Sequence, residues 1–354
     1  MMNYKDFKTI SINSHLLKGE EIISYCSEHP EPNVQLIGNF MEGWLSDDET
    51  VTVHTSGSTG KPKSISVYKN QMLASAAMSA AFFDFKYGQT ALLCLPMSYI
   101  AGKMMVVRAL FSGLNLLCRE PSSQPLQDLH YDGIIDFVPL VPMQLQDTKD
   151  TGSVRKILLG GAPLDYRLEF RMQRFKAEIY HGYGMTETLS HIAIRHVNGA
   201  NASPVYKGLE GILFRQDEFE CLMIKVPFIK DMIHTLDVVE LTGDNSFIWK
   251  GRADNVINSG GLKLHPEIIE QKLSAVIKDR FFVTAIPDKR LGQKLCLIIE
   301  NKSHNSNYIN QLQDVFKVIL EKYERPGHIL FTPKFSSTTS GKIKRVETLA
   351  IMGF

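Results

Sequence analysis

The sequence predicts an α/β protein: a large layered α/β N-terminal domain joined by a hinge to a small α+β C-terminal domain. Three observations predict it. Between Thr52 and Tyr180 short apolar runs alternate with helical ones, the pattern of a layered and at least partly parallel sheet. After His191 the helical runs stop and strand-like segments follow one another as far as Trp249. From Gly251 strands and helices mix again over a stretch of about 100 residues, the size of an independent unit. A chain of 354 residues is in any case too long for one core.

Taken in order, residues 1–50 are weakly patterned, with a helix expected about Leu17–Ser27 and a linker through Pro30 and Pro32. The glycine-rich run 55–63 precedes an alanine-rich helix, Asn70–Phe83. A strand (Ala91–Leu95), a helix (Ile100–Phe111) closed by Gly113, and a strand (Leu114–Cys118) come next. Buried strands are expected at Ile134–Val138, Lys156–Leu159 and Glu178–Tyr180, with a helix at Leu164–Phe175. The β region comprises Ile192–Val197, Ile212–Arg215, Phe219–Lys225, Ile233–Leu241 and Phe247–Trp249. The last segment holds a strand-like Asn255–Asn258, a helix from about His265, and strands at Phe281–Ile286 and Lys294–Ile299. A helix at Tyr308–Lys322 and a strand at His328–Phe331 complete it. The domains are accordingly 1–251, with a short N-terminal region, and 252–354.

The formal charge of +1, from 39 basic and 38 acidic side chains, offers no electrostatic case for nucleic acid or an anionic membrane. Five separated cysteines, none in a C-x-x-C pair, fit a reduced cytoplasmic protein. The N-terminus lacks the apolar core of a signal peptide. The most apolar stretch, Ala74–Phe83, is too short to span a bilayer.

Five runs carry the chemistry. In Thr55-Ser56-Gly57-Ser58-Thr59-Gly60-Lys61-Pro62-Lys63, small residues let backbone N–H groups converge on an anion while hydroxyls and lysines add donors and charge. It is not a Walker A loop: Thr55 stands where the first glycine is required, and Pro62 where the hydroxyl is. A plain surface turn is the rival reading. His181-Gly182-Tyr183-Gly184-Met185-Thr186-Glu187-Thr188 offers an aromatic between glycines, able to stack on a flat base. Its carboxylate suits Mg²⁺, although a tight turn around a packed tyrosine reads the same way. Gly160-Gly161-Ala162 ends an apolar strand, the usual place for a ligand in an open α/β sheet and equally a simple strand–turn–helix. Gly251-Arg252-Ala253-Asp254 with Asn258-Ser259-Gly260-Gly261 falls at the change of composition, and Ser340-Gly341-Lys342-Ile343-Lys344-Arg345 lies near the end. Each also reads as a solvated segment.

In this order the five runs resemble the acyl-adenylate-forming superfamily, which includes acyl-CoA synthetases, peptide-synthetase adenylation domains and luciferases. The resemblance covers about residues 51–346. It implies that Thr55, Ser56, Gly57, Ser58, Thr59, Gly60 and Lys63 hold the phosphates of ATP, and that Tyr183, between Gly182 and Gly184, stacks on adenine beside Gly160, Gly161 and Ala162. Thr186 would contact the α-phosphate, Glu187 would hold Mg²⁺, and Asp237 would accept from the ribose. Asp237 stands in Thr235-Leu236-Asp237, where the family motif has glycine for Leu236. Arg252 adds to the nucleotide site, and Lys342 is the catalytic lysine between carboxylate and phosphate. Rotation about the hinge Asp254 would remove Lys342 and bring Gly260 and Gly261 to a tunnel for coenzyme A. The family's usual long N-terminal region is here cut to about 50 residues before the loop, and with loop and hinge intact a pared-down N-terminal subdomain with retained activity is expected.

Leu95–Gly102 with Arg108 and Gly113 further resembles the acyl-site segment of the o-succinylbenzoate–CoA ligases of menaquinone synthesis. Arg108 interrupts an otherwise apolar helix, and its fork suits the second, unactivated carboxylate of that acid. An exposed arginine is the rival reading. Tyr99, Gly102 and Arg108 form the expected acyl site. Other readings remain: a different aryl or short-acid CoA ligase, a stand-alone adenylation enzyme loading a carrier protein, or a non-catalytic nucleotide-binding protein. Retention of Glu187 and Lys342 argues against the last. A homodimer is compatible with the sequence.

Overall fold

The computed structural model describes residues 2–54, 64–127, 129, 131–301, 306–337 and 343–354. The chain opens on an antiparallel hairpin, β1 (Thr9–Ile12) and β2 (His15–Lys18). Its turn residues, Asn13 and Ser14, take φ of 48° and 68°, the left-handed pair that a two-residue hairpin turn requires. Helices α1 (Glu20–Ser27) and α2 (Pro32–Leu45) follow and pack on each other. The expected first helix therefore starts at Glu20, because Leu17 belongs to β2. The expected linker is a second correction. Pro32 occupies the first turn of α2, where its missing N–H has no intrahelical partner to lose. Val34, Ile37, Met41 and Trp44 then share one buried face at helical spacing.

β3 (Thr50–His54) and β4 (Ser64–Tyr68) form a separate hairpin. The run 55–63, which lies outside the described residues, joins its two strands. The layered half follows the expected alternation. It consists of α3 (Lys69–Phe83), β5 (Thr90–Leu93), α4 (Ile100–Ser112), β6 (Asn115–Cys118), β7 (Ile135–Leu140), α5 (Pro142–Leu145), β8 (Val154–Leu159), α6 (Tyr166–Met172) and β9 (Glu178–Gly184). Strands β1, β6, β5, β7, β8 and β9 run parallel, side by side. From β5 the chain leaves to β6 on one side and returns to β7 on the other, so ligands are expected beyond the C-terminal ends of these strands. Ala91 and Leu93 of β5 join one core with Leu73 and Met104. Leu92 and Cys94 join another with Leu145 and Leu168. Burial on both faces is why these strands read as continuous apolar runs.

β10 (His191–His196), β11 (Val205–Gly208), β12 (Leu213–Gln216), β13 (Cys221–Lys225), β14 (Ile233–Gly243) and β15 (Ser246–Arg252) continue the sheet antiparallel from β9. Among the described residues its order is β12-β13-β14-β15-β11-β10-β9-β8-β7-β5-β6-β1-β2. A second sheet holds β16 (Ile257–Ser259), β17 (Leu262–Leu264), β18 (Phe281–Asp288), β19 (Gly292–Glu300) and β20 (His328–Thr332). Helices α7 (Pro266–Leu273) and α8 (Ser306–Ile319) share its core through Ile269, Leu273, Leu312 and Phe316, and α9 (Arg345–Ile351) packs Leu349 against Phe282 and Phe335.

Candidate active site

Gly160, Gly161 and Ala162 leave the C-terminal end of β8. Gly161 takes φ 82°, and a Cβ on Gly160 would meet nothing within 4 Å, so this turn borders open space. His181 of β9 holds it from beneath. Its Nε2 lies 3.0 Å from the Ala162 carbonyl and its Nδ1 2.6 Å from the Tyr206 hydroxyl. Burial pushes the His181 imidazole down to about 3, so the neutral ring donates from Nε2 to Ala162 and accepts from Tyr206 at Nδ1. Arg195 lies over the Tyr206 ring and pairs with Glu169 of α6. His181 and Tyr206 thus position the glycine turn, a role the local sequence does not reveal.

Tyr183, two residues on, donates its hydroxyl to Asp237 Oδ2 at 2.6 Å, and Trp249 Nε1 donates to Oδ1 at 3.1 Å. Burial, with the Asp237 charge beside it, raises the Tyr183 phenol far above its ordinary range. Arg252 is opposite Asp237 in the β14–β15 register. Its guanidinium, however, grips Asp254 at 2.9 and 3.0 Å. Gly184 is obligatory on steric grounds: a Cβ there would lie 2.3 Å from the Ser190 carbonyl oxygen. That close approach belongs to the turn bearing Thr186 and Glu187, a 3₁₀ turn over Thr186–Thr188 with Leu189 at φ 66°. Thr188 braces it, its hydroxyl accepting from the Met185 N–H at 2.9 Å and lying 2.7 Å from the Ser190 carbonyl. Glu187 is exposed at its tip.

The residues expected at the acyl site divide. Tyr99 caps the start of α4 and is 39% exposed. Gly102 abuts the turn before it, where a Cβ would lie 2.5 Å from the Pro96 carbonyl oxygen. Arg108, on the same helix, is 2% exposed and does not bond this turn. It reaches Ser79 of α3 (3.2 Å), Ser190 (2.5 Å) and His191 (3.4 Å). Burial lowers its guanidinium to about 10. No carboxylate pairs with it among the described residues.

Asp254 sits in a 3₁₀ turn, Ala253–Asn255, between the two sheets. Gly251 passes so close under Glu267 that a Cβ would lie 2.4 Å from Oε2, and Asn255 donates to Glu267 Oε1 at 2.6 Å. Gly260 and Gly261, at φ 60° and 86°, form the two-residue tip of the β16–β17 hairpin; that turn alone calls for both glycines. The expected phosphate-loop residues Thr55, Ser56, Gly57, Ser58, Thr59, Gly60 and Lys63, and the expected catalytic Lys342, lie outside the described residues. The chain flanking Lys342 is tied by a bridge between Ser337 and Ile343.

The family description "AMP-binding enzyme" matches residues 12–212. The chain belongs to the AMP-binding enzyme family. The expected acyl-adenylate-forming membership and α/β fold are borne out: this is an adenylate-forming acyl-CoA ligase. The 2-succinylbenzoate–CoA ligase of Geobacillus sp. is 27% identical, the match covering 91% of this chain and 72% of the relative. A crystal structure of an acyl-CoA synthetase (AMP-forming)/AMP-acid ligase II-like protein from Dyadobacter fermentans shares 38% identity and a TM-score of 0.63, over 95% of this chain and 99% of that one. The o-succinylbenzoate CoA synthetase of Bacillus subtilis in complex with its acyl-adenylate intermediate gives a TM-score of 0.71 at 22% identity, over 84% of this chain and 68% of that one. That likeness is one of fold. Among the described residues no helix is long and apolar enough to cross a membrane.

Proposed function

We propose that the chain activates o-succinylbenzoate with ATP and passes the acyl group to coenzyme A, a step of menaquinone synthesis in the cytoplasm. The observation that carries the choice of acid is Arg108: a buried guanidinium with no carboxylate partner among the described residues. Buried charges are normally paired. One Arg108 terminal nitrogen, Nη1, meets only the Met105 sulfur at 3.6 Å among the described residues, so a substrate carboxylate supplies the missing anion. The name of the Geobacillus relative agrees with this acid.

In the reaction one carboxylate oxygen attacks the α-phosphorus, and pyrophosphate leaves. The thiol, its proton released to solvent, then attacks the acyl carbon, and AMP leaves with the bonding pair of the acyl C–O bond. Two anions must meet in the first step, so positioning and charge neutralisation dominate. Tyr183 offers its ring to adenine, Asp237 its remaining lone pairs to the ribose, and Lys342 a point charge between carboxylate and phosphate. Mg²⁺ fits the residues present, because it is commonly held by one or two carboxylates together with substrate phosphates. Glu187, exposed at the tip of its turn, is such a carboxylate; the ion would neutralise phosphate charge there. After adenylation, rotation about Asp254 exchanges Lys342 for the Gly260–Gly261 tip at the thiol entrance.

A panel of carboxylic acids assayed for ATP-dependent CoA thioester formation tests the proposal. The wild type should prefer o-succinylbenzoate to 4-oxo-4-phenylbutanoate, which lacks the second carboxylate. Arg108→Leu should lower kcat/KM for the diacid by the equivalent of about 2–5 kcal/mol, with ATP affinity little changed and the gap between the two acids narrowed. Preference for the mono-acid, or equal loss on both, would make Arg108 structural and leave the acid unassigned.

A further inference from the structure

The three groups around Arg108 are wired in one direction only. Arginine donates and never accepts. Ser79 Oγ therefore accepts from Arg108 Nε at 3.2 Å, and its own hydrogen goes to the Ser75 carbonyl at 3.1 Å. The remaining contact of Ser79, 3.1 Å to His191 Nε2, needs a hydrogen on that nitrogen. His191 Nδ1 is then the bare nitrogen, facing Arg108 Nη2 at 3.4 Å and the Ser190 hydroxyl at 3.3 Å. Burial and the Arg108 charge hold the His191 imidazole well below its ordinary range, in agreement with this tautomer. Among the described residues the ring also meets Phe83 of α3, ring to ring at 6.0 Å, and Gly182 of β9. Neither is ionisable.

Among the described residues the cluster thus holds one cation and no anion, with Nε and Nη2 tied down and Nη1 left to a sulfur. We propose that His191 and Ser79 are positioning residues for substrate choice, fixing the Arg108 guanidinium so that Nη1 is presented to the spectator carboxylate of a diacid. This rests on the reading that Arg108 binds that carboxylate. Ser190 and His191 lie one residue beyond the Thr186–Thr188 turn, whose Thr188 hydroxyl bonds the Ser190 carbonyl, so the same contacts tie the acid-recognising arginine to the turn assigned to phosphate and metal.

The test compares o-succinylbenzoate with 4-oxo-4-phenylbutanoate in wild type, His191→Leu and His191→Asn, whose Oδ1 falls where Nδ1 stands. His191→Leu should raise KM for the diacid at least about tenfold more than for the mono-acid, the scale of one hydrogen bond to a charged group. His191→Asn should recover most of that loss. Wild-type KM for the diacid should stay flat from about pH 8 to 6, since the ring remains neutral below its usual pKa. Equal losses on both acids, no recovery by asparagine, or a wild-type KM that climbs through this range overturns the inference while leaving the Arg108 reading in place. A wild type with no diacid preference defeats the Arg108 reading itself. Should His191→Leu not fold, Ser79→Ala carries the same comparison.

Discussion

Tyr183 and Asp237 share a 2.6 Å hydrogen bond although three strands, β10, β11 and β15, lie between theirs in the sheet. Four flat inter-strand steps would separate them by about 19 Å. The antiparallel part must therefore curl over, and the rings of Tyr206, Phe214 and Phe247, packed on one another inside the curl, fill it. The pairing of Tyr183 with Asp237, on which the proposed nucleotide site rests, is a product of that curl.

Tyr183→Phe keeps the ring and removes the donor. It should raise KM for ATP by up to about tenfold, one ordinary hydrogen bond, with kcat little altered. Asp237→Ala should do more, because it also orphans the Tyr183 hydroxyl and the Trp249 N–H; a drop in Tm should accompany it. ATP titrations and thermal melts of both variants check this, and an equal effect of the two would remove Asp237 from the site.

Lys342→Ala should lower the rate of adenylation by ~10² or more, the effect of losing one contact to transition-state charge. Thioester formation from pre-made acyl-adenylate should be largely spared. Measuring the half-reactions separately decides it: equal loss in both would rule out a lysine that departs before the second step.

Asp254→Pro should do the reverse, since proline fixes φ near about −65° and stiffens the pivot. The same change deletes the Arg252–Asp254 pair, so Asp254→Ala serves as the control. Adenylate should form in both variants, and transfer to coenzyme A should stall only with proline. Wild-type turnover in the proline variant would move the hinge elsewhere.

Glu270 gives a pH effect of unusual sign. Burial raises its carboxyl from 4.5 to about 7, against the opposing pull of Arg345, whose guanidinium it accepts from at 2.9 Å. Between those values the folded protein holds a proton that the unfolded chain has released, so this group's contribution to stability falls as pH rises from 4.5 through about 7. Glu270→Gln, which keeps an oxygen acceptor for the Val283 N–H, should remove that slope. Melts of both proteins at about pH 5.5 and 8 measure it; a variant whose Tm falls as steeply as the wild type's shows that Glu270 titrates normally.

Runs of adjacent residues carried the family, and with it the expectation of a phosphate loop, a Thr186–Glu187 metal turn and a catalytic lysine, because each asks for particular side chains within a few positions of one another. The alternation from Thr52 carried the parallel half for the same reason, burial on both faces leaving a local imprint. Pro32 misled, since a proline that opens a helix and one that breaks it have the same local look, and only the buried face of α2 tells them apart. Arg108 was legible as a charge in an apolar helix, but its contacts were not. Ser79 and His191 lie 29 and 83 positions along the chain from it, respectively, and nothing beside either marks it as a partner. His181 under the glycine turn and Tyr183 on Asp237 are contacts of the same kind. Such pairings depend on how α3, α4 and the curled sheet pack, a matter of strand order and shape that no local pattern encodes.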